Sequence, residues 1–219
     1  MKAFSDYSPC GRGAPLLTLA CLLLAASPRT FAAAAAAPVV ATDPQTILQH
    51  AVDDVLAIAY PATPPAAPVD PLVTRLRPVL EKYFSFDLIT RSAVGPGWNS
   101  FTPADQQRTT TLFTDLVIRT YSDKFEPGDR PKVTYAKPVE IDTTRRELPT
   151  TINYAGKNYA VSYRMRQLPA GWRIYDVNIE GVSMVANYRA QFDPLFQKGG
   201  AAAIIAALEK NIADFAAKK

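Results

Sequence analysis

"NYAVSYRMRQLPAGWRIYDVNIEG", residues 158–181, decides the fold class. Its first half alternates: Tyr159, Val161, Tyr163 and Met165 fall on one face, Asn158, Ala160, Ser162, Arg164 and Arg166 on the other. That is the period of a strand with one buried side. "PAG" (169–171) marks a tight turn, and "WRIYDVNIEG" (172–181) begins a second strand. There Tyr175, Val177 and Ile179 share a face, opposite Ile174 and Asp176. Upstream, "AGK" (155–157) marks another turn after "PTTINYA" (149–155). These three strands predict an antiparallel meander. "KVTYAKPVEI" (132–141) reads as one further strand, and "TRR" (144–146) as a solvated loop.

Helical periodicity surrounds this block. After Gly181 come two apolar helices, about 183–197 and 200–215, separated by Gly199-Gly200. On the other side, "FTPADQQRTTTLFTDLVIRTYSDKF" (101–125) is the clearest helix. Thr102 caps it, Pro103 opens it and Asp105 makes its first turn acidic. Leu112, Phe113, Leu116, Val117 and Tyr121 form its apolar stripe. "DPQTILQHAVDDVLAIAY" (43–60) starts with the Asp-Pro signal of a helix N-terminus. "DPLVTRLRPVLEKYF" (70–84) repeats that start, with Pro78 expected to kink or interrupt it. "SFDLITRSAVG" (85–95) is a short helix stopped at Gly95-Pro96-Gly97. The proline-rich stretch 60–71 is an extended loop. Helices, an antiparallel sheet, then helices give an α+β class. The pattern fits either a packed core or a cavity between the sheet and the helices.

The first 36 residues read as a secretory signal peptide. Lys2 and Arg12 precede the apolar run "APLLTLACLLLAA" (14–26), and small residues follow, with cleavage expected between 32 and 36. The run is short for a membrane span. Cys21 lies inside it rather than at its end, which argues against a lipoprotein. The mature chain, 37–219, then has no cysteine, because Cys10 and Cys21 are both removed. This excludes disulfides, thiol catalysis and cysteine-bound metals. Removing Lys2, Arg12, Arg29 and Asp6 leaves 21 basic and 19 acidic residues, too even a balance for a nucleic-acid binder.

Candidate chemistry is sparse. His50 is the one histidine and has no triad or metal companion in the pattern. Asp53 and Asp54 point about 100° apart on a helix and read as a solvated face. Asp176 is the strongest catalytic candidate: a carboxylate in an apolar setting can act as a raised-pKa base, although pairing with Arg164 or Arg173 is the commoner role. No phosphate loop, dinucleotide fingerprint, zinc motif or nucleophile elbow occurs. Trp98 and Trp172 read as core. On composition alone, ordinary packing accounts for the apolar residues.

One further pattern changes that weighting. "WRIYDVNIEGVSMVANYRAQF" (172–192) is followed by "KGG" (198–200) and "AAIIAALEKNI" (202–212). It carries Tyr175, Asp176, Glu180, Gly181, Val182, Ser183, Tyr188, Arg189 and Phe192. With "FTPADQQ" (101–107) and "YFSFDLITRSAVGPGW" (83–98), it closely resembles the MlaC, or toluene-tolerance auxiliary, family over about residues 43–212. The proline-rich 60–71 segment departs from the charged linker usual in that family.

The resemblance implies a periplasmic, monomeric carrier with no enzymatic activity and no cofactor beyond its phospholipid cargo. It implies a nuclear-transport-factor-like fold, in which a curved antiparallel sheet packed with helices encloses an apolar cavity. Such a carrier shuttles phospholipid between an MCE-domain protein of an inner-membrane ABC transporter and an outer-membrane lipoprotein complex, and so maintains outer-membrane lipid asymmetry. Apolar periodicity on the elements that this fold turns inward selects ten lining candidates: Leu116, Val117, Tyr121, Val161, Tyr163, Met165, Val177, Val182, Val185 and Tyr188. Competing readings are a carrier of hopanoids, as in the related HpnM branch, an isomerase-like enzyme using Asp176, and a fully packed interaction module.

Overall fold

In the computed structural model, which describes residues 43–63, 70–125 and 128–217, Asp43 caps the first helix by accepting the Thr46 amide at 3.1 Å. The signal-peptide reading of 1–36 and the centre of the proline-rich loop lie outside the described residues. Helix α1 spans Pro44–Ala59. Helix α2 spans Leu72–Tyr83 and runs through Pro78. Its N-cap is Pro71, which has no side-chain acceptor, so the second Asp-Pro pair does not repeat the cap of the first. Helix α3, Phe86–Val94, ends at Gly95, whose φ of 72° suits glycine, and a 3-10 turn covers Gly95–Ser100. Helix α4, Pro103–Ser122, begins with a reciprocal cap. Thr102 Oγ1 accepts the Asp105 amide at 3.1 Å and donates to the Asp105 carboxylate at 2.7 Å.

The expected single strand 132–141 is two strands, β1 (Lys132–Tyr135) and β2 (Val139–Asp142). Both pair antiparallel with β3 (Arg145–Tyr154), β1 with its C-terminal half and β2 with its start. Two prolines explain the break. The Ala136 amide donates to the Pro149 carbonyl at 2.9 Å, so that side of Pro149 faces the gap between β1 and β2. Its missing N–H therefore falls where no ladder bond is required, and Pro138 in the gap likewise has none to give. Arg145 and Arg146 belong to β3 rather than to the solvated loop expected for 144–146. A tight turn at Thr143-Thr144 joins β2 to β3, and Asp142 Oδ1 accepts the Thr144 amide at 2.8 Å.

Strand β4 (Lys157–Leu168) and strand β5 (Gly171–Ile179) complete the meander, and the two-residue β6 (Val182–Ser183) extends it. The sheet order is β1-β3-β4-β5-β6, all antiparallel, with β2 alongside β1 on β3. The facing of β5 differs from simple alternation. Arg164 pairs Asp176, but Met165 pairs Ile174, so Tyr175 is an extra residue in a β-bulge. The bulge brings Ile174 to the same side as Val177, where strict alternation would separate them; both pack in one cluster. The fold is α+β, with helices packed on a curved, open antiparallel sheet.

Helix α5, Met184–Ala217, closes the described chain. Its backbone leaves helical geometry at Gly199 and Gly200, giving the two segments expected from the sequence. Gly200, at φ 58° and ψ −142°, needs glycine. The core has two clusters. The first is helical, centred on the fully buried Phe113, whose ring lies 4.7 Å from Tyr188 and 5.2 Å from Phe192. The second joins α1 and Tyr83 to the sheet through Leu48, Leu148, Met165, Trp172 and Ile174. Each such apolar side chain contributes about 1.5–3 kcal/mol on burial.

Candidate functional site

The ten lining candidates do not form one patch. Leu116, Val117 and Tyr188 are buried in the helical cluster, with Tyr121 and Val185 packed against it and partly exposed. Met165 is buried in the sheet cluster, with Tyr163 and Val177 packed against it and partly exposed. Val161 is buried but belongs to neither cluster. Val182 is 61% exposed on β6 and also belongs to neither.

Phe84 packs against both clusters, so it marks where they meet. It lies between α2 and α3, bridges to Ile174, and stacks on Phe86 at 5.9 Å. The sequence reading missed it because a linker residue belongs to no periodic stripe; the aromatic-rich "YFSF" (83–86) was the available signal.

Tyrosines pack against both clusters, Tyr121 against the helical one and Tyr135 and Tyr163 against the sheet one. Burial pushes the Tyr163 phenol up to about 12, with a smaller contribution from the neighbouring Tyr135. Tyr135 is itself pushed to about 12, by burial and then by Asp53. Tyr121 reaches about 12 through burial, then Tyr188 and Asp176. All three side chains nevertheless keep accessible surface. A phenol desolvated by surrounding protein holds its proton more tightly, whichever atoms bury it.

Asp176 is 3% exposed and fully engaged. Its Oδ1 accepts the Val185 amide at 3.0 Å; its Oδ2 accepts from Ser183 Oγ at 2.7 Å and from Arg164 at 3.4 Å. Ser183 Oγ in turn accepts the Ala186 amide at 3.0 Å. Two orphan amides of the first turn of α5 are thereby satisfied. Arg164 also meets Glu147 at 3.1 Å. The expected pairing with Arg164 is present. The second suggested partner, Arg173, donates instead to the Trp172 carbonyl.

His50 is exposed on α1. Asp54 is not simply solvated: it accepts the Tyr83 hydroxyl at 2.7 Å, which lowers its pKa. Trp172 is buried in the sheet cluster, and Trp98 packs against the helical one. Among the described residues no three His, Cys, Asp or Glu side chains converge as a metal site requires, and no helix is long and apolar enough to cross a membrane.

A family model described as MlaC protein matches residues 49–210. Among solved structures, the chain is similar to a phospholipid-binding protein from Ralstonia solanacearum, determined in complex with a phospholipid at 1.53 Å. The two share 29% identity and a TM-score of 0.71, over 80% of this chain and 99% of the other. No curated protein matches. The family match spans well over half of the sequence and takes in α2 to α4, all six strands and most of α1 and α5; the chain belongs to the MlaC family.

Proposed function

We propose that this protein is a periplasmic carrier that binds phospholipid by its acyl chains between the two clusters. In this reading it shuttles lipid between an outer-membrane lipoprotein complex and the MCE-domain protein of an inner-membrane ABC transporter, and so maintains lipid asymmetry. The observation that carries the reading is the pair of apolar clusters that meet at Phe84, with Tyr163 and Val177 of the sheet cluster left partly accessible. Family membership and the phospholipid held by the Ralstonia solanacearum protein support the choice of ligand.

The energetics agree. A two-tailed lipid has ~30 methylenes at about 0.8 kcal/mol each, so crossing water unprotected costs roughly 20 kcal/mol. A carrier needs apolar wall and little catalytic chemistry. Leu116, Val117, Tyr121, Val185 and Tyr188 would supply the helical wall, and Val161, Tyr163, Met165 and Val177 the sheet wall, with Val182 at the rim. The engagement of both Asp176 oxygens in holding α5 favours a carrier over an isomerase-like enzyme. Export by the 1–36 signal peptide and a monomer with transient partner contacts complete the reading.

Organic extraction of the protein, purified after expression of the full chain, followed by mass spectrometry tests it. Stoichiometric phospholipid is expected. Hopanoid in its place would move the cargo to the other branch, and a protein that carries no lipid and takes up none from vesicles would end the carrier reading.

A further inference from the structure

Two open clefts of about 570 and 590 Å³, the first touching the helical cluster at Val185, share Ser92 and Arg189 and so form one furrow. It is recessed between α3, the 3-10 turn, the start of α5 and the adjoining ends of β3, β4 and β5. Five arginines line it, Arg91, Arg145, Arg164, Arg166 and Arg189, against two aspartates, Asp176 and Asp193. The whole chain has 24 basic and 20 acidic residues, so this furrow is far more basic than the average surface.

Three of the arginines have work within the fold. Arg145 meets Asp142 at 2.7 Å, Arg164 meets Glu147 and Asp176, and Arg189 donates to the Ser92 carbonyl at 2.9 Å. Arg91 and Arg166 have neither an ion pair nor a side-chain hydrogen bond among the described residues. Both are exposed, both line the second cleft, and the exposed Asn99 lies with them. Unpaired guanidiniums brought together repel, and a carboxylate between them removes that repulsion. A planar carboxylate also matches the guanidinium fork.

We propose that this furrow is a docking groove for an extended, acidic segment of a partner protein, with Arg91 and Arg166 as its carboxylate-binding pair. The shape favours a chain over a membrane. A flat anionic surface meets ridges, whereas these arginines lie along a recess between secondary-structure elements. The recess also extends well beyond one anion, from Asn99 to Asp193. The inference goes beyond lipid carriage and does not depend on it.

Fluorescence anisotropy with labelled octaglutamate tests the groove. Saturable binding is expected, weakening as salt rises from about 50 to about 200 mM. Arg91→Glu combined with Arg166→Glu should weaken it about tenfold or more. Lys157→Glu, at the opposite end of β4 and about 30 Å from Arg166, should leave it within about twofold. Bound lipid should be equal in all three proteins, which separates this test from that of the carrier reading. Equal binding by the double variant and the parent overturns the proposal, as does equal weakening by Lys157→Glu. If inorganic phosphate displaces the peptide at equal charge concentration, the furrow is a small-anion site. If phosphatidylglycerol vesicles bind through Arg91 and Arg166 and octaglutamate does not, it is a membrane contact.

Discussion

The Oδ1 of Asp176 accepts the Val185 amide at 3.0 Å, which ties the buried face of β5 to the first turn of α5. The same carboxylate holds Ser183, so one side chain sets how the last helix leaves the sheet. Asp176→Ala would leave the Val185 amide and the Ser183 hydroxyl without their acceptor in a partly buried setting. We expect a loss of about 2–4 kcal/mol in urea unfolding, with Asp176→Asn milder because its carbonyl still accepts the amide. A change below about 0.5 kcal/mol for Asp176→Ala would remove Asp176 from this role.

Val177 pairs with Tyr163 across β4 and β5 and is only partly buried. A charge there opposes acyl chains more than it opposes folding, since the side chain is not fully packed. Val177→Glu should retain its circular dichroism spectrum and elute with much less phospholipid. Full lipid load would place Val177 outside the cavity. Global unfolding would show that the position is close-packed core.

Tyr163 gives a pH signature. Its folded pKa is pushed up to about 12 by burial, above the 10.0 of an ordinary tyrosine phenol. The folded state therefore holds the phenolic proton more tightly, so the stabilisation is complete below pH 10 and is lost as pH rises towards 12. Absorbance at the phenolate band should show a late-titrating class, and Tyr163→Phe should reduce both that class and the alkaline destabilisation. An unchanged titration would mean that Tyr163 is solvated.

The turn between β3 and β4 is strained. Ala155 has φ 49° and Gly156 φ 76°, the left-handed pair of a type I′ hairpin turn. Alanine is costly there and asparagine or glycine is not. Ala155→Asn should raise stability by about 0.5–1 kcal/mol, read from the thermal midpoint, without changing lipid content. A lower midpoint would show that the turn prefers alanine for another reason.

Gly97 sits under the ring of Phe196, where an added Cβ would lie 2.8 Å from ring carbons. Gly97→Ala must displace the ring from the 3-10 turn and from Phe101, which it stacks at 6.2 Å. A loss of about 1–3 kcal/mol is expected in urea unfolding. Combining it with Phe196→Ala should recover part of that loss; a fully additive double variant would place the strain elsewhere.

Local signals carried much of the architecture. The Asp43 and Thr102 caps, the alternation of β4 and the Gly199-Gly200 break are written in neighbouring residues, because capping, alternation and positive φ depend only on the nearby chain. The family signature lay in the contiguous 172–192 stretch for the same reason. Other features depend on what meets across the sheet. Pro138 was visible, but the division of 132–141 into two strands also depends on Pro149 lying across from Ala136, where β1 ends. Tyr175 looked like one more alternating residue; only its register against Arg164 and Met165 makes it a bulge, and that decides which way Ile174 faces. Phe84 belongs to no stripe, yet it joins the two clusters. Arg91, Arg166 and Arg189 are far apart in sequence and share a furrow only because α3, β4 and α5 converge. Periodicity records whether a side chain is buried, whereas its neighbours across the sheet are chosen by pairing and packing over long sequence distances.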